Sequence, residues 1–213
     1  MNMHCTRSYG FCLAILILSA AVASADEGWV SLFDGKTLDG WHQLNGTAKY
    51  EVVDDAIKGT TAEGSPNSFL CTKKDYCNFE LEFEVLLDSR LNSGVQIRSQ
   101  SLPEYRNGRV HGYQVEISTN GNAGFIYDEA RRGWLSKDRD NKEAREAFKK
   151  DQWNHYRIVC NGDSMKTWVN GVPVADLKDG MTPCGFLGLQ VHAFRGDKPA
   201  WVMWRNLRIK ELP

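Results

Sequence analysis

The side chains in this sequence best suited to chemistry sit on three short alternating runs. In SGVQIRSQ, Gln96 and Arg98 alternate with Val95 and Ile97, and in HGYQVEIS, Gln114 and Glu116 alternate with Val115 and Ile117. A third run, LGLQVH, sets Gln190 and His192 against Leu189 and Val191. Neighbouring side chains on a strand point to opposite faces. Each run therefore offers one aliphatic face and one face of amides with a guanidinium, a carboxylate or an imidazole. A merely solvated face would carry Lys, Thr, Ser and Glu. The recurring set predicts a face that grips a polar ligand, with Glu116 and His192 able to move protons. Two plainer roles stand beside this: Glu116 as an ion-pair partner of Arg98, and His192 as a hydrogen-bonded structural residue.

Other candidates are weaker. Glu80, Glu82 and Glu84 share one strand face, and two such carboxylates can act as nucleophile and acid in glycoside hydrolysis. Here Leu81 and Phe83 separate three glutamates with no aspartate, which reads better as a solvated or ion-paired face. The run Tyr127-Asp128-Glu129 with Arg131 and Arg132 is predicted to close one side of the site, Asp128 contacting the ligand. His111 reads as structural. There is no Gly-rich phosphate loop, no G-x-S-x-G, no H-E-x-x-H and no Ca²⁺ loop. No cofactor is evident, and a divalent cation stays open.

Residues 1–25 read as a secretory leader: His4 and Arg7, an apolar stretch from Phe11 to Leu18, then Ala23-Ser24-Ala25. The rest, 26–213, reads as a single domain, exported to a periplasmic or extracellular space. Lys and Arg number 26 against 27 Asp and Glu; removing Arg7 leaves 25 − 27 = −2. A near-neutral chain without a basic block argues against nucleic acid or a membrane surface as the main partner. Four cysteines remain after the leader: Cys71, Cys77, Cys160 and Cys184. In an oxidising compartment they can pair, and Cys71–Cys77 with Cys160–Cys184 is the expected arrangement, each pair bracketing a turn region. Their spacings do not suit a zinc knuckle.

The elements that would position these residues are short strands. FELEFEVLL places Phe79, Leu81, Phe83 and Val85 on one face, and a hairpin from it into Gly94–Gln100 would set Glu84 opposite Gln96 and Glu82 opposite Arg98. Asn161-Gly162 and Asn170-Gly171 are strong hairpin turns. Within 129–151 the run DNKEAREAFKK predicts one short helix in a long loop over or beside the sheet. Roughly a dozen strands with regular turns indicate an all-β jelly-roll sandwich.

The motifs LFDGKTLDGW, NSGVQIRSQ, GYQVEI, GFIYDEA, WNHYRIVCNG, WVNGV, GFLGLQVH and WRNLRIKEL, in this order, resemble the 3-keto-disaccharide hydrolase domain family. That resemblance implies a concanavalin A-like sandwich of two curved antiparallel sheets, with the polar face of the concave sheet as the site. It also implies action on glycosides whose 3-hydroxyl a partner dehydrogenase has oxidised to a ketone. The C3 ketone acidifies the C2 proton; a base removes it and the C1 aglycone is expelled, with or without later addition of water. Glu116 or His192 would be the base and the other the acid, with Gln96, Arg98, Gln114, Gln190 and Asp128 binding substrate. Where many members carry an acid just after GYQVEI, this chain has Ser118. A non-catalytic carbohydrate-binding module is the alternative.

Overall fold

The computed structural model describes residues 1, 27–138 and 140–213; positions 2–25 of the expected leader lie outside them. The first strands are β1 (Trp29–Ser31), β2 (Trp41–Leu44), β3 (Lys49–Val53), β4 (Ala56–Thr60) and β5 (Ser68–Thr72). Then follow β6 (Phe79–Leu87), β7 (Ser93–Gln100), β8 (His111–Ile117), β9 (Ile126–Glu129) and β10 (Gly133–Trp134). After the helix α1 (Lys142–Arg145) come β11 (Asn154–Asn161), β12 (Ser164–Val169), β13 (Val172–Lys178), β14 (Phe186–Val191) and β15 (Trp201–Glu211). They form two antiparallel sheets. The first runs β13-β12-β11-β6-β15-β4-β3, with β1 also on β15; the second runs β10-β9-β8-β7-β14-β5-β2. This is the jelly-roll sandwich that the strand pattern predicts.

Alternation builds both inner faces. β6 buries Phe79, Leu81, Phe83, Val85 and Leu87 and turns its glutamates outward. Against it the second sheet presents Leu70, Val95, Ile97, Tyr113, Val115, Leu189 and Val191, all in the same apolar cluster. Asn170 and Gly171 form the expected turn with φ 51° and 81°, the left-handed pair that matches strand twist in a two-residue hairpin; the hairpin from β11 to β12 also forms, but its turn falls on Gly162 and Asp163, between the paired Asn161 and Ser164. The expected helix is there too. Asn141 caps it by accepting from the Ala144 N–H, and Ala144 is buried.

Three expectations fail. The hairpin from β6 into β7 does not form, because the two strands lie in opposite sheets. β6 is instead sandwiched by β11 and β15, so Glu80 meets Arg157, Glu82 meets Arg208, and Glu84 meets Arg205 at 2.5 Å. Three guanidiniums of this outer ladder stack on Trp168, Trp153 and Trp29. With each carboxylate held by an arginine, the glycanase reading of this face loses its acid and its nucleophile.

The cysteine pairing is also different. Cys77 joins Cys184, while Cys71 and Cys160 are free and buried. Cys71 faces away from the sandwich interior beside Phe69, and Cys160 faces into it, so neither side chain can swing to the loop cysteines. The bridge ties the segment before β6 to the segment before β14, where Tyr76 also pairs with Gly185. Among the described residues no helix is long and apolar enough to cross a membrane.

The third correction concerns Asp128. β9 turns it inward at the sandwich edge, fully buried, where it accepts from Arg131 Nε at 2.7 Å and Arg132 Nε at 2.5 Å. Arg132 continues to Asp179, which follows β13. Burial works against the Asp179 carboxylate, yet Arg132, the Tyr113 hydroxyl and the Met181 N–H hold it down to about 2. This network staples the second sheet to the first, so Asp128 is structural.

The disulfide closes a separation of 107 residues. Replacing Cys77 and Cys184 by serine is expected to cost about 2–4 kcal/mol, chiefly by freeing the unfolded chain. A fall in the urea midpoint, with a steeper slope as the unfolded chain opens further, checks this.

Candidate functional site

The strand register arranges the outer face of the second sheet in rows. One row reads Leu44, Phe69, Gln190, Gly94, Glu116. The next reads His42, Cys71, Gly188, Gln96, Gln114, Tyr127, Trp134. Four of the predicted site residues, Gln96, Gln114, Glu116 and Gln190, are thus brought together, on strands that are neighbours in the sheet but distant in sequence. Glycine makes the rows fit. A Cβ at Gly94 would fall 2.5 Å from Gln114 Cγ, so the Gln114 side chain can lie across the strand only because nothing projects there.

The amides form a directed chain. Gln114 Nε2 donates to Glu116 Oε2 at 3.1 Å, and Asn92 donates to Glu116 Oε1. An ionised carboxylate only accepts, so Gln114 must turn its Oε1 the other way. There it accepts from Gln96 Nε2 and Gln190 Nε2, both at 2.7 Å. Ser99 Oγ donates in turn to Gln96 Oε1 at 2.7 Å. One acceptor is left over: Gln190 Oε1 is buried and has no donor.

Glu116 is 4% exposed. Burial raises its pKa to about 7, and the negative charge of Glu129 adds to this; the hydrogen bonds from Asn92 and Gln114 and the charge of Lys137 pull the other way. Its donors are neutral amides, which solvate a carboxylate without supplying the cation that would keep it ionised.

Arg98 is not on this face. β7 shifts register between Ile97 and Gln100, and Arg98 takes φ 47°. This bulge breaks the alternation. The side chain, 1% exposed, instead donates to Cys77 O at 2.6 Å, Gly162 O at 2.8 Å and Asn78 Oδ1 at 3.2 Å. Ser99 takes its place against Gln96.

His192 follows β14 and stands apart from the amides. Its Nδ1 lies 2.7 Å from Ala193 O; a carbonyl only accepts, so Nδ1 carries the proton and Nε2 is left available. His192 lines a cavity of about 570 Å³ with Asn45, Phe69, Arg106, Arg109 and Glu129 among its walls. The cavity abuts the amide rows through Phe69, the strand partner of Gln190. Residues 101–110 bound it as a strap across the sheet. Tyr105 donates to Ala130 O at 2.6 Å near one edge, and Asn45, just past β2, exchanges two hydrogen bonds with Gly108 O and the Val110 N–H. Val110 seals the crossing by packing with Phe69, Cys71 and Phe186. Asn45, Asn92, Ser99 and the strap escaped the sequence reading; the Asn-Ser-Gly before β7 was their one faint signal. A second cavity, of about 530 Å³, opens on the other sheet beside Trp29, Glu82 and Glu84, but its carboxylates are the arginine-paired ones. Among the described residues no three His, Cys, Asp or Glu side chains converge on one point.

Fold and face together make a jelly-roll β-sandwich with a carboxylate buried among amides on one outer face. The chain matches the 3-keto-alpha-glucoside-1,2-lyase-like domain over residues 28–210, and it belongs to that family. No curated protein sequence matches it. Among solved structures, it is similar to a candidate glycosyl hydrolase from Parabacteroides distasonis, at 20% identity and TM-score 0.63, covering 88% of this chain and 95% of that one. It is also similar to the carbohydrate-binding module CBM66 from Bacillus subtilis, at 16% identity and TM-score 0.54, over 81% and 96% of the two chains. A β-1,3-1,4-glucanase from a mouse hindgut metagenome follows at 11% and 0.54, over 86% and 97%. At these identities the likeness is one of fold.

Two outcomes test this geometry. Folded Glu116 keeps its proton up to about pH 7, whereas the unfolded residue loses it near 4.5. The contribution of Glu116 to stability is therefore full below pH 4.5 and is lost as pH rises through 7, about 3 kcal/mol in all. Glu116→Gln, which mimics the protonated acid, is expected to exceed the parent in stability at pH 8 and to match it at pH 4. Urea melts at both values read this directly. Arg98→Met removes the buried guanidinium's three hydrogen bonds, to Cys77 O, Gly162 O and Asn78 Oδ1, and is expected to cost about 3 kcal/mol. If Arg98 bound substrate instead, the variant would keep its stability and lose substrate affinity.

Proposed function

We propose that the outer face of the second sheet cleaves glycosides carrying a ketone at C3. Glu116, as carboxylate, takes the C2 proton; the electron pair forms the enolate of the C3 ketone. Collapse of the enolate breaks the C1–O bond, and the departing oxygen takes a proton from His192, which must then carry one on Nε2. The products are the aglycone and an unsaturated 3-keto sugar, and addition of water to the latter makes the net reaction a hydrolysis. Glu116 and His192 lie on or next to strands separated by one neighbour, His192 two residues beyond the Glu116 row, so their backbones are about 12 Å apart.

The observation that carries this reading is the carboxylate itself. A base with a pKa of about 7 is half ionised at neutral pH and still strong enough to remove an activated carbon-bound proton. The unpaired Gln190 Oε1 supports it, since a sugar hydroxyl is the donor that acceptor lacks. Family membership supports the substrate class, and a dehydrogenase acting at C3 must supply it. The disulfide supports export to an oxidising compartment.

The test offers the protein a 3-keto-glycoside and its unoxidised parent and follows aglycone release. Release from the keto form alone is expected, with kcat/KM rising tenfold per pH unit on the acid side of about pH 7, where Glu116 gives up its proton. Glu116→Gln is expected to lose at least ~10²-fold. Release from both would remove the keto requirement. Release from neither, with sugar binding intact, would make the domain a binding module.

A further inference from the structure

The cavity beside the amide network carries a positive charge that the proposed chemistry does not use. Its charged walls are Arg106, Arg109 and Glu129, with the His192 imidazole beside them. Arg109 and Glu129 pair at 3.3 Å and offset each other. Arg106 has no carboxylate partner among the described residues; its recorded contact is a stack over the Tyr105 ring at 5.4 Å. The backbone that presents it is unusual. Arg106 and Asn107 both take left-handed φ, 47° and 57°, a conformation that side chains other than glycine adopt at a cost. The strap holds them in it by its anchors at Tyr105 and Asn45.

Which end of a substrate this cavity takes follows from its walls. His192 lines it and Glu116 does not. The acid must stand at the departing oxygen and the base at C2, so the cavity lies on the leaving-group side. We infer that it is the aglycone subsite, and that Arg106 selects leaving groups bearing a carboxylate or similar small anion. This rests on the proposed cleavage for its orientation, but the anion preference is a binding property and can be measured without turnover. Arg106 is solvent-exposed, so the preference is one that salt weakens. A planar guanidinium meeting a carboxylate through paired hydrogen bonds is the geometry that gives it direction.

The experiment uses phenyl glucoside and 4-carboxyphenyl glucoside, unoxidised for calorimetry and as 3-keto forms for kinetics. The parent protein is expected to bind the carboxylate about tenfold more tightly at low salt, with KM following the same ratio. Arg106→Gln is expected to bring that ratio close to one, and Lys36→Gln, the same charge change on a loop that does not line the cavity, to leave it standing. Equal affinity for both glucosides in the parent, or an undiminished ratio in Arg106→Gln, overturns the inference. If the ratio holds in binding while neither 3-keto form is cleaved, the anion preference of Arg106 stands and the cleavage reading falls, with it the assignment of the cavity to the leaving group.

Discussion

A carboxylate buried among neutral amides is the constraint on which this molecule turns. Glu116 is almost wholly out of water, and burying a charge without a cation is costly. Gln114 and Asn92 lessen that cost by donating to it, and because a carboxylate can only accept, they set the direction of every amide behind them. The chain of donors ends at Gln190 Oε1, which has nothing to accept. An orientation imposed at one end of the network thus leaves an acceptor without a donor at the other.

The two sheets treat their carboxylates in opposite ways. On the first, Glu80, Glu82 and Glu84 each meet an arginine that in turn stacks on a tryptophan. Such pairs are half in water and contribute modest stability; their chemistry is spent. On the second, Arg98 is the one cation that strict alternation would have placed beside the amides. The β7 bulge turns it into the loops around Cys77 and Gly162 instead. A guanidinium on that face would favour ionised Glu116 and lower its proton affinity. The bulge therefore does two jobs: it ties the second sheet to the loops of the first, and it keeps the carboxylate basic.

Much of this was legible in the sequence, for reasons particular to each element. Phe79–Leu87 alternates so cleanly that its buried face could be read directly, and Asn170-Gly171 specifies its turn through backbone sterics alone. Gln96, Gln114, Glu116 and Gln190 were visible because a two-residue period projects them together. The same period misled at Arg98, where a single bulge residue reverses the side chain, and at Asp128, whose inward partners Arg131 and Arg132 lie three and four positions on around a turn. Strand pairing was less accessible. Nothing in FELEFEVLL says that its neighbours are β11 and β15 rather than the next strand, since a crossover between sheets and a hairpin need similar loops. The disulfide follows from that same topology: Cys71 and Cys160 sit on opposite faces of different sheets, so only the two loop cysteines can meet.

The strap explains how one face can be apolar and polar at once. Where residues 101–110 cross the sheet, Val110 closes over Phe69, Cys71 and Phe186, and dispersion and burial hold it there. Beyond that crossing the rows change to amides, glycine and Glu116, and the cavity with His192 and Arg106 lies where the two regimes meet. Asn45 anchors the far end with two hydrogen bonds from a left-handed backbone of its own. The same segment that supplies the apolar seal thereby presents the unpaired guanidinium. A change in the strap's length or anchoring would move the cation relative to the amide rows while leaving Glu116 and its donors in place. In the proposed reaction, recognition of the leaving group and removal of the proton would thus fall to different elements, so that one could vary without disturbing the other.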